Sequence, residues 1–392
     1  MSVHSPGFVH SPGAVGSAPS WAMPALMSSC VVVVGAGCRD QPGPAEAVGQ
    51  RPAPELHPTA VDRRHGWNSA LVLGSFATAA LLFAAFIAYA LRATHPAIMT
   101  AVNELPGHER ALADDDLLVL SALIQRCLKA DGGLPDAASE GFIRRQYLSG
   151  AGIGRYRADG SLLAAAAVSA PGGDRVTGAG AVDPAHRGRG LGRHLLDWTL
   201  AAADGRPVLI RSEMVTGAAE RLYSRYGLRQ VFGELVMRAD LSESPVLVPP
   251  PAGVVFRPWS DQLASLFFAT YTAAFRDRPG FPGWPQQQWI EWTTGDDDFR
   301  ADLCLLALAP DDDAAGFLTV GANWIVQTGV VPRWRRHGLG AALVTAAMSA
   351  IRAAGFGTCW LTVAQNNPTA TALYRRCGFV IAGRRGRYGV VE

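Results

Sequence analysis

Two rhythms of apolar and polar positions run through the chain from Met99 onward, and they come round twice. "DDDLLVLSALIQRCL" (114–128) repeats its apolar residues every three to four positions, which predicts a helix with one buried stripe. "SLLAAAAVSAPGGDRVTGAGAVDP" (161–184) is two near-continuous apolar runs around a Pro-Gly-Gly turn, which predicts paired strands. An amphipathic helix "LGRHLLDWTLAAA", a strand "PVLIR" and a helix carrying Leu222 and Tyr223 follow, closing at the turn "YGL". After the proline-rich "LSESPVLVPPPAG" (241–253) the order recurs. There is a helix at "DQLASLFFATYTAAF", strands in "DLCLLALAPDDDAAGFLTVGA" and "NWIVQTGVV", a helix "LGAALVTAAMSAI", a strand "TCWLTV", and a helix with Leu373 and Tyr374 ending at "CGF". A recurrence of this length reads as an internal duplication. The expected organisation is an N-terminal unit over 99–241, a linker over 242–253 and a C-terminal unit over 254–392.

Upstream the pattern changes. Residues 1–65 are rich in Gly, Pro, Ser and Ala, a composition that predicts little fixed structure. Residues 66–92 then hold an uncharged, apolar run from Gly66 to Leu91, bracketed by Arg63, Arg64 and Arg92 and long enough for one membrane-spanning helix. Met99 offers an alternative start of translation. A cytoplasmic protein follows from that start, and a membrane-anchored one wherever 66–92 is present.

Composition narrows the function. The chain has 392 residues, 49% hydrophobic and 17% charged, with a formal net charge of +2. That balance builds globular cores and argues against a nucleic-acid binder. The six cysteines form no CxxC pair and lie beside no histidines at ligand spacing, so no metal is expected.

The chemistry lies where a strand feeds a helix. "VDPAHRGRGLG" (182–192) and "VVPRWRRHGLG" (330–340) occupy the same place in the two units. A glycine-bearing turn at a helix start exposes unpaired N–H groups and the positive end of the helix dipole, and arginines at its rim add forked donors. The expectation is an anion cradle sized for phosphate or pyrophosphate. No Walker lysine is present, and the dinucleotide pattern with its later acidic residue is missing from both units.

These stretches resemble the GNAT superfamily of acetyl-coenzyme A-dependent N-acetyltransferases. Its hallmark [QR]xxGx[GA] is matched by Arg187–Gly192 and Arg335–Gly340. Its second hallmark is matched by "NPTATALYRRCGF" (367–379) and, with Thr216 in place of asparagine, by "TGAAERLYSRYGL" (216–228). The resemblance implies an α/β (α+β) fold of two tandem domains, each a mixed, mostly antiparallel sheet flanked by helices. It implies that Val330 and Val331 line the pantetheine arm, that Arg335, Arg336, His337, Gly338 and Gly340 hold the pyrophosphate, and that Asn367 touches the arm. Tyr374 becomes the general acid for the departing thiolate. Val182, Arg187, Gly188, Gly190, Gly192 and Tyr223 are the N-terminal counterparts, in a half read as degenerate because of Thr216.

The tandem arrangement resembles the mycothiol synthase family, where the C-terminal half is catalytic. One departure stands out: no Asp or Glu occurs between Gly316 and Gly340, where many relatives carry a basic carboxylate. Either a more distant carboxylate (Glu291, Asp296, Asp297 or Asp298) serves through water, or the amine arrives already neutral, or this half is weak, and the base stays unassigned. The function implied is acetyl transfer from acetyl-CoA to a primary amine of a small molecule or peptide. Mycothiol synthase proper and a non-catalytic acetyl-CoA-binding sensor or scaffold remain alternatives.

Overall fold

A computed structural model of the protein describes residues 107–390, except 171, 172, 279, 280 and 312, together with the dipeptide strand β1 (Val31–Val32). The 66–92 span and the rest of the low-complexity segment lie outside the described residues. Among the described residues no helix is long and apolar enough to cross a membrane.

The duplication is plain in the element order. The first unit runs β2 (His108–Ala111), α1 (Leu117–Asp131), α2 (Glu140–Tyr147), β3 (Ala151–Tyr156), β4 (Leu162–Ser169), β5 (Val176–Val182), α3 (Leu191–Ala202), β6 (Val208–Ser212), α4 (Gly217–Arg225) and β7 (Arg229–Asp240). The second repeats it as β8 (Val255–Arg257), α5 (Asp261–Phe275), α6 (Gln286–Thr294), β9 (Leu305–Leu308), β10 (Ala314–Gly321), β11 (Trp324–Val330), α7 (Leu339–Ala353), β12 (Thr358–Ala364), α8 (Pro368–Arg376) and β13 (Val380–Gly389).

The expected mixed, mostly antiparallel architecture is present, but the two sheets are not separate. One continuous sheet runs β2-β3-β4-β5-β6-β13-β7-β12-β11-β10-β9-β8, with β1 parallel to β11 at Gln327 and Thr328. Only β5–β6 and β11–β12 are parallel along the main path. The last strands are exchanged: β7 pairs over Glu234–Asp240 with β12 of the second unit, and β13 pairs with β6 of the first.

Packing follows the exchange. Met237 and Ala239 of β7 are buried in the C-terminal core beside Leu361, Leu343 and Phe317, while Tyr388 of β13 is buried in an N-terminal core beside Ile210 and Tyr223. Each half therefore completes its core with apolar surface from the other, so the two are expected to unfold together. The aromatics of 281–292 serve packing, as the helical spacing suggests: Trp289 has no exposed surface and stacks on Tyr271 with centroids 5.0 Å apart. The proline-rich connector is tied to α7, where Arg352 Nε donates to Leu241 O at 3.0 Å and Val248 N–H to Thr345 Oγ1 at 3.1 Å.

Candidate functional site

Both cradles form as strand, proline turn, glycine and helix. Each strand ends at a proline that opens a short 3₁₀ turn, Pro184–His186 or Pro332–Trp334. Each helix then starts on a left-handed glycine, Gly190 at φ 87° or Gly338 at φ 83°, a conformation that costs an L-residue about 1–2 kcal/mol. A Cβ added at Gly188 or Gly338 would meet nothing within 4 Å, so both loops open outward. At the position of Gly188 (φ 77°) the C-terminal loop carries Arg336 at φ 67°.

The first-position arginines do something the sequence does not suggest. Arg335 Nε donates to Val330 O at 3.1 Å and its Nη2 to Ala274 O at 3.1 Å. Arg187 Nε donates to Val182 O at 3.2 Å, and its two terminal nitrogens form a fork onto Asp131 at 2.8 and 2.6 Å. These guanidinium groups brace the loop against the preceding strand and the first helix. The N–H groups of the first helical turn stay available to an anion.

In the N-terminal half a cavity of about 370 Å³ is lined by all six residues singled out there: Val182, Arg187, Gly188, Gly190, Gly192 and Tyr223. Its volume falls in the range of small-molecule sites. The slot follows the divergence of β5 and β6, which pair only from Val176↔Val208 to Ala179↔Arg211. Sequence reasoning missed Arg211 and Glu213, which also line it. Burial raises the Tyr223 phenol to about 12, against a hydrogen bond with Ser212.

In the C-terminal half the same wedge is wider, with β11 and β12 paired at Trp324↔Trp360 alone. Val330 and Val331 are buried at the end of β11, and β1 lies along that wall. His337 packs edge-on against Trp334. Asn367 Oδ1 accepts from Ala370 N–H at 3.1 Å and caps α8. Thr216 Oγ1 caps α4 in the same way, accepting from Ala219 N–H at 3.1 Å. Thr216 therefore supplies the same cap in spite of its departure from the motif.

Tyr374 is fully buried, and its Oη has no hydrogen-bond partner. Burial pushes its phenol well above the ordinary tyrosine value, so it stays protonated. The four acids proposed as bases are all exposed, and Glu291 accepts from Gln287 Nε2. Among the described residues no cluster of His, Cys, Asp or Glu is arranged to hold a metal.

Comparison with known proteins gives the same reading. Residues 261–379 match the model of the Acetyltransferase (GNAT) family, and residues 153–229 match that of an Acetyltransferase (GNAT) domain. A mycothiol acetyltransferase of Clavibacter sepedonicus is 32% identical over 285 residues, covering 69% of this chain and 86% of that protein. The chain belongs to the GNAT family. A second mycothiol acetyltransferase, from Clavibacter michiganensis subsp. michiganensis, is 34% identical over 228 residues, covering 55% of this chain and 72% of that protein. A GCN5-related N-acetyltransferase from Sphaerobacter thermophilus superposes with a TM-score of 0.60 at 25% identity, covering 73% of this chain and 96% of that one. The protein is accordingly a tandem acetyltransferase that uses acetyl-CoA as acyl donor.

Proposed function

We propose that the acetyl group is transferred in the C-terminal half, to a primary amine of a small molecule or peptide. The observation that carries this reading is Tyr374. It is a fully buried phenol with an unpartnered Oη, on a helix that is capped by Asn367 and follows β12 directly in the chain. An unpaired buried hydroxyl costs stability, and a catalytic role accounts for its being there.

In this reading the N–H groups around Gly338 and Gly340 hold the pyrophosphate, with Arg336 and His337 at the rim, and the end of β11 at Val330 and Val331 borders the pantetheine. The amine attacks the thioester carbonyl, and Tyr374 protonates the leaving thiolate. The N-terminal cavity takes a second coenzyme without turning it over. Its residues are intact, while the charges on its acceptor side differ, as argued below.

The relatives named mycothiol acetyltransferase favour one acceptor, the cysteinyl glycoside precursor of mycothiol. The test is an acetylation screen of small primary amines and N-terminal peptides with that glycoside included, read by mass spectrometry and thiol release. Transfer to the glycoside above all others makes the protein a mycothiol synthase. Transfer to another amine keeps the enzyme and changes the acceptor. No transfer to any, with acetyl-CoA still raising the melting temperature, leaves a coenzyme-binding module.

A further inference from the structure

From the cap residues to the C-terminus the two units run in one register, 151 positions apart. Thr216 matches Asn367, Tyr223 matches Tyr374, and on the exchanged strands Glu234 matches Arg385. These last two residues sit directly opposite each other where β7 and β13 pair, and Arg385 Nε donates to Glu234 Oε2 at 2.7 Å. The duplication has placed one repeat position against its own copy and given the two copies opposite charges.

That position lies beside the end of β12 and close to the end of β6. Glu234 is paired across the sheet with Ala364, the last residue of β12, and Gly233 O accepts from Gln365 N–H at 3.0 Å. Asn367 and the helix of Tyr374 begin immediately after. On the other side of the exchange, Arg385 stands 3.5 Å from Glu213, just past the end of β6 in the N-terminal half. The exchange thus sets a carboxylate of the first unit beside β12 of the C-terminal half, and a guanidinium of the second beside Glu213 of the N-terminal half.

Glu234 has no exposed surface, and its Oε1 has no partner. A structural ion pair would have both oxygens satisfied. The groups facing it come from three elements: Arg385 and Arg387 of β13, Glu213 beyond β6, and Arg278 beyond α5. Arg278 lies in the segment joining the first two helices of the C-terminal unit, with Tyr271 also acting on it. Burial raises the Glu234 carboxyl, with Arg385 opposing.

We infer that Glu234, lent by the last strand of the N-terminal unit, is the base of the C-terminal site and fills the role left vacant on the fourth strand. The inference rests on the proposed transfer in that half. The acceptor nitrogen bonds to the thioester carbonyl carbon as the C–S bond breaks. One N–H proton passes to Glu234 Oε1, directly or through one water, and the thiolate takes the Tyr374 proton. Solvent returns the proton from Glu234 to Tyr374, leaving an amide and free coenzyme A thiol.

The test compares full-length wild type, Glu234→Gln, and the charge exchange Glu234→Arg with Arg385→Glu. Acetyl-CoA is supplied with two acceptors, the most active primary amine of the screen and hydroxylamine, which is weakly basic, arrives neutral and after attack sheds its proton to water far more readily. The expected result for Glu234→Gln is a loss of about 10²- to 10⁴-fold in kcat with the amine. The acid limb of the kcat/KM profile should vanish, the loss with hydroxylamine should be far smaller, and the thermal shift by acetyl-CoA should be retained. The exchange keeps the ion pair yet should stay as inactive toward the amine as Glu234→Gln. Restored wild-type turnover in the exchange, or equal losses with both acceptors, would overturn the assignment. A wild type that acetylates neither acceptor overturns the functional reading itself, and this inference with it.

Discussion

Thr216 and Asn367 close their helices with one geometry, each side-chain oxygen accepting from the N–H three residues on at 3.1 Å. Losing an N-cap costs about 1 kcal/mol. Thr216→Ala and Asn367→Ala should each destabilise the protein by about that amount in urea denaturation, whereas Thr216→Asn should change stability by less than about 0.5 kcal/mol. A Thr216→Ala variant as stable as wild type would mean that the cap contributes nothing.

Removing the Tyr374 hydroxyl leaves no protein partner unsatisfied. Tyr374→Phe should therefore be at least as stable as wild type within about 0.5 kcal/mol, and its acetyl-CoA affinity should hold. Turnover should fall by about 10²- to 10⁴-fold if the phenol is the acid. Undiminished turnover would reduce Tyr374 to a packing residue.

Backbone strain distinguishes the two cradles. Gly188→Ala places a side chain at φ 77° with nothing within 4 Å, so only the backbone resists, by about 1 kcal/mol. Arg336 already carries that conformation at φ 67°, and Arg336→Gly should be no less stable than wild type. Denaturant midpoints check both. A destabilised Arg336→Gly would show that the side chain anchors the loop.

Glu234 gives a pH signature with a definite sign. Its folded-state value is raised, first by burial, so its contribution to stability is complete below the ordinary carboxylate range of about 4–5 and is lost as pH rises through the higher folded value. Glu234→Gln should flatten that part of the stability curve. Melting temperatures across mildly acid to neutral pH measure it, and parallel curves for the two proteins would contradict the shift.

What could be read from the sequence was local. Glycines at left-handed φ, a proline turn and a helix start fix the cradles within about ten residues, so Arg187–Gly192 and Arg335–Gly340 stood out without a fold. The exchange of β7 and β13 did not. Periodicity identifies a strand but not its neighbour, and the pairing of Glu234 with Ala364 and Arg385 spans more than a hundred residues. Hence the sequence points to the exposed acids of 291–298 and not to Glu234. Residue type alone also says nothing of the brace formed at Arg187 and Arg335, which spend donors on Asp131, Val182, Val330 and Ala274. At Thr216 the motif letter changes while the cap is kept, because a cap needs only an oxygen.

Gly192 and Gly340 occupy matching places in the first helical turns, where a glutamate would meet a bound diphosphate with its own negative charge. The most direct measurement is the rate of acetyl transfer by Gly340→Glu and by Gly192→Glu, each compared with wild type. The account predicts that Gly340→Glu abolishes turnover while Gly192→Glu retains most of it. An active Gly340→Glu beside an inactive Gly192→Glu would move the chemistry to the N-terminal half and contradict it.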